Sequence, residues 1–580
     1  MSWIDWVILG CFLTYTIWDG TRGGKQAKTI TDYFLANRSM PWWAMGLSVM
    51  ATQASAITFI GTTGQAFTSD MRFIQIYLSM PFAMIILSIT LIPFYHKLKN
   101  FSAYEVLEDR FGLKTRLLTS GLFLISRGLA LGTIIAAPAY VLSLLLHISL
   151  PITILIMGLI ATIYTMFGGI SGVIRTDVKQ MSIMFFGIFF SLFWILNQLP
   201  ESVSFSDTLY LAGSLDKLKT VDFSWDFSNK YTVWSGFIAG LFLMLSYFGT
   251  DQSQVQRYLT AKSQTDAQQS LLVSAFAKIP LQFIILFLGV LLYVFFIFNP
   301  MPLSFRAADN TSFQTEERVK EFTDAESSYS ELAKLRQENA LKAVETRSKT
   351  DQAAFVAADK ALQDLKKQEM NRRAEVLQTD LNDTNYIFPY FIISYLPIGV
   401  IGIIISAIFA AALSSIDSEL NALSTCSIVD WYYRLHETKK TDAHYLKSSK
   451  AATLFWGILA TLSAIALGET KSIIELVNQI GSYFYGSILG VFILLLFFKR
   501  ASGNAAFVGL ILGMIVVFLA DSIFYNHVTD TYFFHSSFIP SPANSGKAFA
   551  FLWLNPLGAA TVVLVGMIYP SSPKSNKLVA

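Results

Sequence analysis

The sequence contains very few of the residues that disulfide frameworks and metal centres need. Its 580 residues include only two cysteines, Cys11 and Cys426, which lie far apart in apolar stretches, so neither a disulfide framework nor a cysteine metal cluster is expected. The six histidines fall in loops or at the ends of apolar runs, without the spacing that ligates haem or zinc. The net charge of +3 is too small to indicate a nucleic-acid partner. We therefore expect neither an enzyme nor a nucleic-acid-binding protein.

Charge is also scarce, and apolar residues take its place. Hydrophobic residues make up 53% of the chain and charged residues only 14%, and the mean hydropathy is +0.49. A membrane-spanning helix needs about 20 mostly apolar residues. The sequence therefore predicts an all-α polytopic protein of the lipid bilayer with about 13 transmembrane helices. The apolar runs lie near residues 3–19, 41–66, 72–95, 116–146, 150–168, 175–198, 233–250, 269–298, 387–428, 450–468, 472–498, 504–522 and 549–569.

One charged segment interrupts the apolar body. Between Ser304 and Tyr386 lie 13 of the 43 basic residues and 16 of the 40 acidic residues. Residues 314–377 are rich in Ala, Glu, Lys, Gln and Leu, with apolar pairs at helical spacing, which predicts a helical hairpin that stands off the membrane. Two roles remain open for the insert 304–386. It is either a solvated insertion or a docking surface for a protein partner.

The basic residues outside the insert predict the orientation of the chain. Alternate short loops and the C-terminal tail carry 22 Lys and Arg residues, Arg257 among them, and the remaining loops carry about six. Short cytoplasmic loops are enriched in Lys and Arg. This asymmetry places the N-terminus outside, the C-terminus in the cytoplasm and the insert outside, in a plasma membrane or bacterial inner membrane.

Several ionisable side chains fall within or close to apolar runs. They are Arg127 in the fourth run, Asp177 near the start of the sixth, and Asp417 and Glu419 in the ninth. A charged side chain at the centre of a bilayer costs about 2.5–3.5 kcal/mol on insertion scales, so it generally marks an ion site or a solute pathway. Together with the absence of catalytic motifs, these residues favour a transporter.

Four segments carry motifs in order along the chain: DYFLANRSMPWWAMGLSVMATQASAITFIG (32–61), GGISGVIRTDVKQ (168–180), YFGTDQSQVQRYLTAKS (247–263) and AALSSIDSELNALST (411–425). They resemble the first core helix, the glycine-pair signature, the sixth core helix and the eighth core helix of the sodium:solute symporter family. The resemblance implies two inverted five-helix repeats, with the second and seventh runs broken near mid-membrane. It divides the chain into a peripheral helix and first loop (1–31), a first repeat (32–198), an extracytoplasmic loop (199–232), the start of the second repeat (233–303), the insert (304–386), the rest of the second repeat (387–500), and two peripheral helices with a tail (501–580).

The resemblance also implies that sodium is the coupling ion. The principal sodium site falls on the carbonyls of Ala51, Ala54 and Ala411 and the hydroxyls of Ser414 and Ser415, because those positions match the family's motifs. A second cation site falls on Asp177, Asp417 and Ser418. Family members that have a second site carry serine at the position of Asp417. This extra carboxylate either tightens a cation site, binds a proton or pairs with a basic side chain, and we favour a second cation.

The same resemblance implies a solute site between the two repeats. Arg127 departs most from the family pattern and favours a carboxylate-bearing solute, such as a sialic acid, a monocarboxylate or a vitamin, which the guanidinium binds in bidentate fashion. Alternatively, Arg127 pairs with an internal acid such as Asp417 or Glu419. Two alternative functions remain open: sodium- or proton-coupled transport of a sugar or polyol, and a solute sensor that does not transport. The matching positions are Ser55, Thr58, Gln75 or Tyr77, Arg127, Tyr247 as an aromatic gate, and Asn478.

Overall fold

The computed structural model describes residues 1–24, 27–56, 58–98, 100–227, 229–306, 316–377, 383–436, 440–467, 473–524 and 550–569. These residues are almost entirely helical and contain no β-strand beyond one isolated bridge between Met40 and Ala261. The helices are α1 (Trp3–Gly23), α2 (Ile30–Leu35), α3 (Trp42–Gln53), α4 (Thr63–Thr68), α5 (Met80–Ile89), α6 (Leu91–Leu98), α7 (Glu105–Phe111), α8 (Leu113–Leu146), α9 (Leu150–Asn197), α10 (Phe205–Ser214), α11 (Gly240–Thr250), α12 (Gln252–Leu259), α13 (Gln264–Phe298), α14 (Glu316–Thr346), α15 (Lys349–Leu377), α16 (Ile387–Tyr395), α17 (Val400–Cys426), α18 (Asp442–Leu467), α19 (Ile473–Phe497), α20 (Gly503–Phe524) and α21 (Leu554–Ile568).

The prediction of an all-α polytopic membrane protein is confirmed, whereas the count of 13 spans is not. Among the described residues, eight helices are long and apolar enough to cross a membrane, or nine if one bent pair forms a single span. Two shorter apolar segments, Ser235–Thr250 and Gly481–Phe497, accompany them. The predicted fifth and sixth runs form the single 48-residue helix α9, and the predicted ninth run is divided between α16 and α17.

A glycine explains why α9 contains two predicted runs. A straight helix of that length would measure about 70 Å, more than twice the hydrocarbon thickness of a bilayer. Gly169 interrupts α9 with φ of 57° and ψ of −161°, a conformation that residues with a side chain rarely adopt. A Cβ atom at this position would lie 2.5 Å from the carbonyl oxygen of Tyr33. The glycine pair therefore forms the turn between two membrane segments.

Two helical segments are broken where the family resemblance implies breaks. The second run consists of α3 and a segment from Thr58 to Thr68, bent by 64° relative to each other. The bend begins at Ala54, whose φ of −83° and ψ of 53° leave the helical region. In the second break, Asp251 takes an extended conformation between α11 and α12. Each break frees backbone groups that a continuous helix would pair internally.

The insert forms the predicted helical hairpin, α14 and α15, and the hairpin contacts the rest of the protein near the end of α13. The hydroxyl of Tyr293, near the end of α13, donates to both carboxylate oxygens of Asp359 at 2.7 and 2.9 Å. The guanidinium of Arg336 lies 3.2 Å from Asp359 and donates to the carbonyl of Phe296 at 2.6 Å. Arg336 and Asp359 are both buried. A buried ionic cluster therefore attaches the hairpin to α13.

Candidate functional site

Serine hydroxyls of α17 meet backbone carbonyls at the end of α3. The last four carbonyls of a helix lack intrahelical partners. Ser414 Oγ donates to the carbonyl of Ala51 at 3.1 Å, and Ser415 Oγ donates to the carbonyl of Thr52 at 3.1 Å. Both hydroxyls also lie within hydrogen-bond distance of the Ala411 carbonyl, at 3.1 and 3.4 Å. The site is thus a group of neutral oxygens at the start of the helix break.

Four of the five residues assigned to the principal sodium site are joined directly by these hydrogen bonds. Ala54, the fifth, is buried at the bend itself, three residues beyond Ala51. The Thr52 carbonyl is a further oxygen that the sequence did not assign, although it belongs to the last turn of a helix that was expected to break. Because hydroxyl and carbonyl oxygens are uncharged ligands, the group suits a monovalent cation that must bind and then leave.

The residues of the second candidate site surround a guanidinium. Asp417 accepts hydrogen bonds from Tyr164 Oη at 2.7 Å and from Ser418 Oγ at 3.1 Å. Arg257 donates to Ser418 Oγ, and its Nη2 lies 3.4 Å from Asp177 Oδ2. The other oxygen of Asp177, Oδ1, has no hydrogen-bond partner among the described residues. The three residues assigned to this site are therefore close together, but a basic side chain lies among them.

Arg257 was counted as a loop residue from the sequence, and the structure corrects this interpretation. Its side chain is fully buried, because α12 follows the break at Asp251 and packs inside the protein. The guanidinium also donates to Ser48 Oγ at 2.7 Å and to the hydroxyl of Thr52. With two carboxylates against one guanidinium, the cluster retains one formal negative charge.

A cavity of about 170 Å³ lies beside the principal sodium site. Thr52 and Ser415, which belong to that site, also line the cavity. Of the residues assigned to the solute, it is lined by Ser55, Thr58, Tyr77, Arg127 and Tyr247. Asn478 lies where the structure describes the backbone of α19 but not its side chains. Five of the seven assigned positions therefore surround one cavity.

Gln75 does not line the cavity, so of the alternatives Gln75 and Tyr77 the structure favours Tyr77. The side-chain amide of Gln75 donates to the carbonyl of Tyr231 at 2.7 Å, and its oxygen accepts from the backbone N–H of Asp222 at 3.2 Å. These bonds hold Gln75 to the loop before α11. Because its polar atoms pair with the backbone, Gln75 acts in packing and not in solute contact.

Arg127 is paired with two internal acids. Its Nε donates to Asp251 Oδ2 at 2.7 Å, and its Nη1 lies 3.2 Å from Glu419 Oε1. Its Nη2 donates to Asp251 and to the hydroxyl of Tyr485. Of the internal partners considered from the sequence, Glu419 is therefore present and Asp417 is not. The pairing with Asp251 was missed because it depends on the break between α11 and α12.

The sequence analysis also missed a buried lysine. Lys278 lies in α13, is completely buried, and has no hydrogen-bond partner among the described residues. Its ammonium nitrogen lies 5.4 Å from the ring centroid of Tyr77, which lines the cavity. A lysine inside an apolar run is a signal that the insertion-cost rule would have found. A basic side chain therefore lies behind Tyr77.

Comparison with known proteins places this geometry in a family. The model of the sodium:solute symporter family matches residues 33–325 and 366–513, so part of the hairpin, residues 326–365, lies outside both matched segments. The sodium/sialic acid symporter SiaT of Proteus mirabilis is 29% identical over 527 residues, which cover 90% of this chain and 90% of that protein. The sodium/sialic acid symporter NanT of Aliivibrio fischeri is 26% identical over 92% of this chain and 89% of its own.

A solved structure is similar over almost the whole chain. It is the substrate-bound, outward-open state of a Na⁺-coupled sialic acid symporter, with a TM-score of 0.74, 27% sequence identity, and coverage of 99% of this chain and 100% of that one. The family match extends over both broken helical segments and over the serines of α17. This chain belongs to the sodium:solute symporter family.

Proposed function

We propose that the protein imports a small carboxylate-bearing solute together with sodium by alternating access. The observation that carries the proposal is the contact of Ser414 and Ser415 with the free carbonyls of α3, directly beside the cavity. A sodium ion held by Ala51, Ala54, Ala411, Ser414 and Ser415 would fix the bend of the broken segment against α17. Since Ser415 also lines the cavity, ion binding orders one of its walls.

The membrane potential supplies the energy for accumulation. Each sodium ion that moves inward through 100 mV provides about 2.3 kcal/mol. This energy corresponds to an accumulation of about 50-fold for one ion from voltage alone. Coupling is reciprocal, so sodium must raise the affinity for solute by the same factor as solute raises the affinity for sodium.

The guanidinium of Arg127 at the cavity wall supports a carboxylate-bearing solute, as do the relatives named as sialic acid symporters. An arginine side chain has five N–H groups. In Arg127 four of them face Asp251, Tyr485 and Glu419, which leaves one on Nη1 for a solute. Lys278 lies beside Tyr77 but does not line the cavity. A solute carboxylate would thus be held by a single contact to Arg127, and not by the bidentate contact expected from the sequence.

We also propose a second cation at Asp177, Asp417 and Ser418. The cluster keeps one formal negative charge after Arg257 is counted, and Asp177 Oδ1 is unpaired among the described residues. If a second sodium binds there, the dependence of uptake on sodium concentration has a Hill coefficient above one in the wild type. Asp417→Ser, which restores the residue of family members with two sites, should keep this cooperativity, whereas Asp177→Asn should abolish it.

Uptake into proteoliposomes tests the function. The assay measures N-acetylneuraminate, lactate, pantothenate and glucose with sodium and with choline in its place, at fixed pH. Sodium-dependent uptake of a carboxylate supports the proposal. Uptake that persists in choline and is stimulated by external acid would mean proton coupling, exclusive uptake of glucose would mean a sugar transporter, and binding without uptake would mean a sensor.

The orientation and the division into repeats belong to the same proposal. The N-terminus is placed outside and the C-terminus in the cytoplasm, with repeats at 32–198 and at 233–303 plus 387–500. Labelling of cysteines introduced at Ser204 and Ser502, each in a background without Cys11, tests the orientation, because only the first should react with an impermeant reagent in intact cells. A protein partner at the insert remains a prediction, and we assign no catalytic step to the chain.

A further inference from the structure

Arg127 has more negative charge around it than its own charge requires. Asp251 and Glu419 both pair with this single guanidinium, and all three side chains are buried. One carboxylate already neutralises an arginine. The second leaves the group with a formal charge of −1, and a buried excess charge is costly unless something completes its hydrogen bonds.

The two acids differ in how fully their oxygens are used. Asp251 Oδ2 accepts from Arg127, while its Oδ1 accepts from the backbone N–H of Ser253 at 2.9 Å and from the Ser253 hydroxyl at 2.7 Å. Asp251 therefore caps α12, and this structural role accounts for its presence. Glu419 makes one ionic contact, at 3.2 Å, and its Oε2 has no hydrogen-bond partner among the described residues.

Glu419 is also placed to meet a solute. It lines the same cavity as Arg127, Tyr247 and Tyr485, whereas Asp251 does not. Its side chain is only 3% exposed, so bulk water does not satisfy the free oxygen. A carboxylate in this position is a strong hydrogen-bond acceptor next to the N–H of Arg127 that remains free. The cavity therefore offers a donor and an acceptor side by side.

We propose that Glu419 is a specificity-determining residue that accepts a hydrogen bond from a hydroxyl on the carbon next to the solute carboxylate. The inference rests on the proposed function, since it requires the carboxylate at Arg127. The carboxylate and hydroxyl oxygens of a 2-hydroxycarboxylate lie about 2.7 Å apart, the usual length of an O–H···O hydrogen bond. Because Arg127 Nη1 lies only 3.2 Å from Glu419 Oε1, the guanidinium and the Glu419 carboxylate are adjacent, and neighbouring oxygens of one solute can reach both side chains. The protein thus selects 2-hydroxycarboxylates over acids that lack the hydroxyl.

A matched pair of ligands tests this selectivity on the full-length protein in lipid nanodiscs. N-acetylneuraminate carries a hydroxyl on the carbon that bears the carboxylate, and 2-deoxy-N-acetylneuraminate lacks it. A hydrogen bond to a charged group contributes enough for a preference of about tenfold or more. We expect the wild type to show this ratio of dissociation constants in sodium. Glu419→Met should reduce the ratio to near one, and Glu419→Gln should give an intermediate ratio.

Asp430→Asn is the matched control. Asp430 is buried in the segment that continues α17 and pairs with Arg116 at 2.8 Å, outside the cavity. Its variant loses a buried ion pair of the same kind but should keep the preference for the hydroxyl. Equal affinities in the wild type, or an unchanged ratio in both Glu419 variants, would overturn the inference. If the wild type binds neither ligand in sodium, the proposed function fails as well. If Glu419→Met does not fold, Glu419→Gln decides the outcome.

Discussion

Replacement of Ser414 and Ser415 by alanine should remove two oxygens from the principal sodium site. Each hydroxyl contributes one of the five oxygens assigned to the ion. If each contact with the ion is worth as much as a hydrogen bond to a charged group, about 1.5–3 kcal/mol, the double variant loses about 3–6 kcal/mol of sodium binding. The sodium concentration for half-maximal uptake should then rise by at least about 100-fold. Uptake of labelled N-acetylneuraminate across a range of sodium concentrations measures it.

The same variant also loses hydrogen bonds that exist without sodium. Ser414 and Ser415 join α17 to the carbonyls of α3, and each neutral bond is worth about 1 kcal/mol. Thermal unfolding with and without sodium separates the two effects, because only the gain in stability on adding sodium reports the ion. Ser406→Ala is the control, since Ser406 lies buried in the same helix and bonds only to the carbonyl of Gly402, at 2.7 Å. Sodium dependence that is equal in the wild type and the double variant would refute the site.

Three further predictions concern the hairpin, the short helix α7 and the glycine turn. Asp359→Ala leaves the buried Arg336 without its carboxylate, so thermal unfolding should show a loss of stability of about 3 kcal/mol. A loss below about 1 kcal/mol would contradict the buried cluster. Burial raises the pKa of Glu105 in α7 to about 7. Because the pKa of glutamate in the unfolded chain is about 4.3, the unfolded state loses this proton at lower pH, and the free energy of unfolding should fall as pH rises from about 4.3 to 7. Glu105→Gln should remove this fall from the pH profile of stability. Gly169→Ala places a Cβ atom 2.5 Å from the Tyr33 carbonyl in an unfavourable backbone conformation. Folded protein should therefore be recovered in lower yield on size-exclusion chromatography than for Gly187→Ala, whose Cβ atom in a regular part of α9 comes no closer than 3.4 Å to its neighbours.

The apolar pattern predicted the fold class because a bilayer requires long apolar helices that satisfy their own backbone groups. It did not predict how the runs connect. The fifth and sixth runs both lie in α9, on either side of the turn at Gly169, because a single non-helical residue separates them. The ninth run is divided at Leu396, which takes an extended conformation before Pro397 and ends α16 although its neighbours are apolar. Hydropathy averages over such single residues, so it locates membrane segments better than their ends.

The site shows the same limit in a different form. Ser414 and Ser415 were assigned to the sodium site because of a motif, and the structure places their hydroxyls against carbonyls at the expected helix break. Arg257 and Lys278 were not found, although both are completely buried. Arg257 lies between two apolar runs, so the charge rule assigns it to a loop, and that rule contains no information about a chain that turns back into the protein. Lys278 lies inside the eighth run, where the insertion cost of a charged side chain would have marked it. Partners that come together across the fold are not visible in local sequence.

Helix α17 provides a physical route for coupling between ion and solute. Ser415 and Glu419 are four residues apart, so they lie on one face of the helix, and both line the cavity. The Thr52 carbonyl accepts from Ser415, and the Thr52 hydroxyl accepts from Arg257 in the second cluster. A sodium ion bound at the proposed site would fix Ser415 against α3, and with it the position of Glu419, one helical turn away, relative to Arg127. A solute bound as proposed between Arg127 and Glu419 would hold the same face of α17 in place, so each ligand would lower the entropic cost that the other meets on binding.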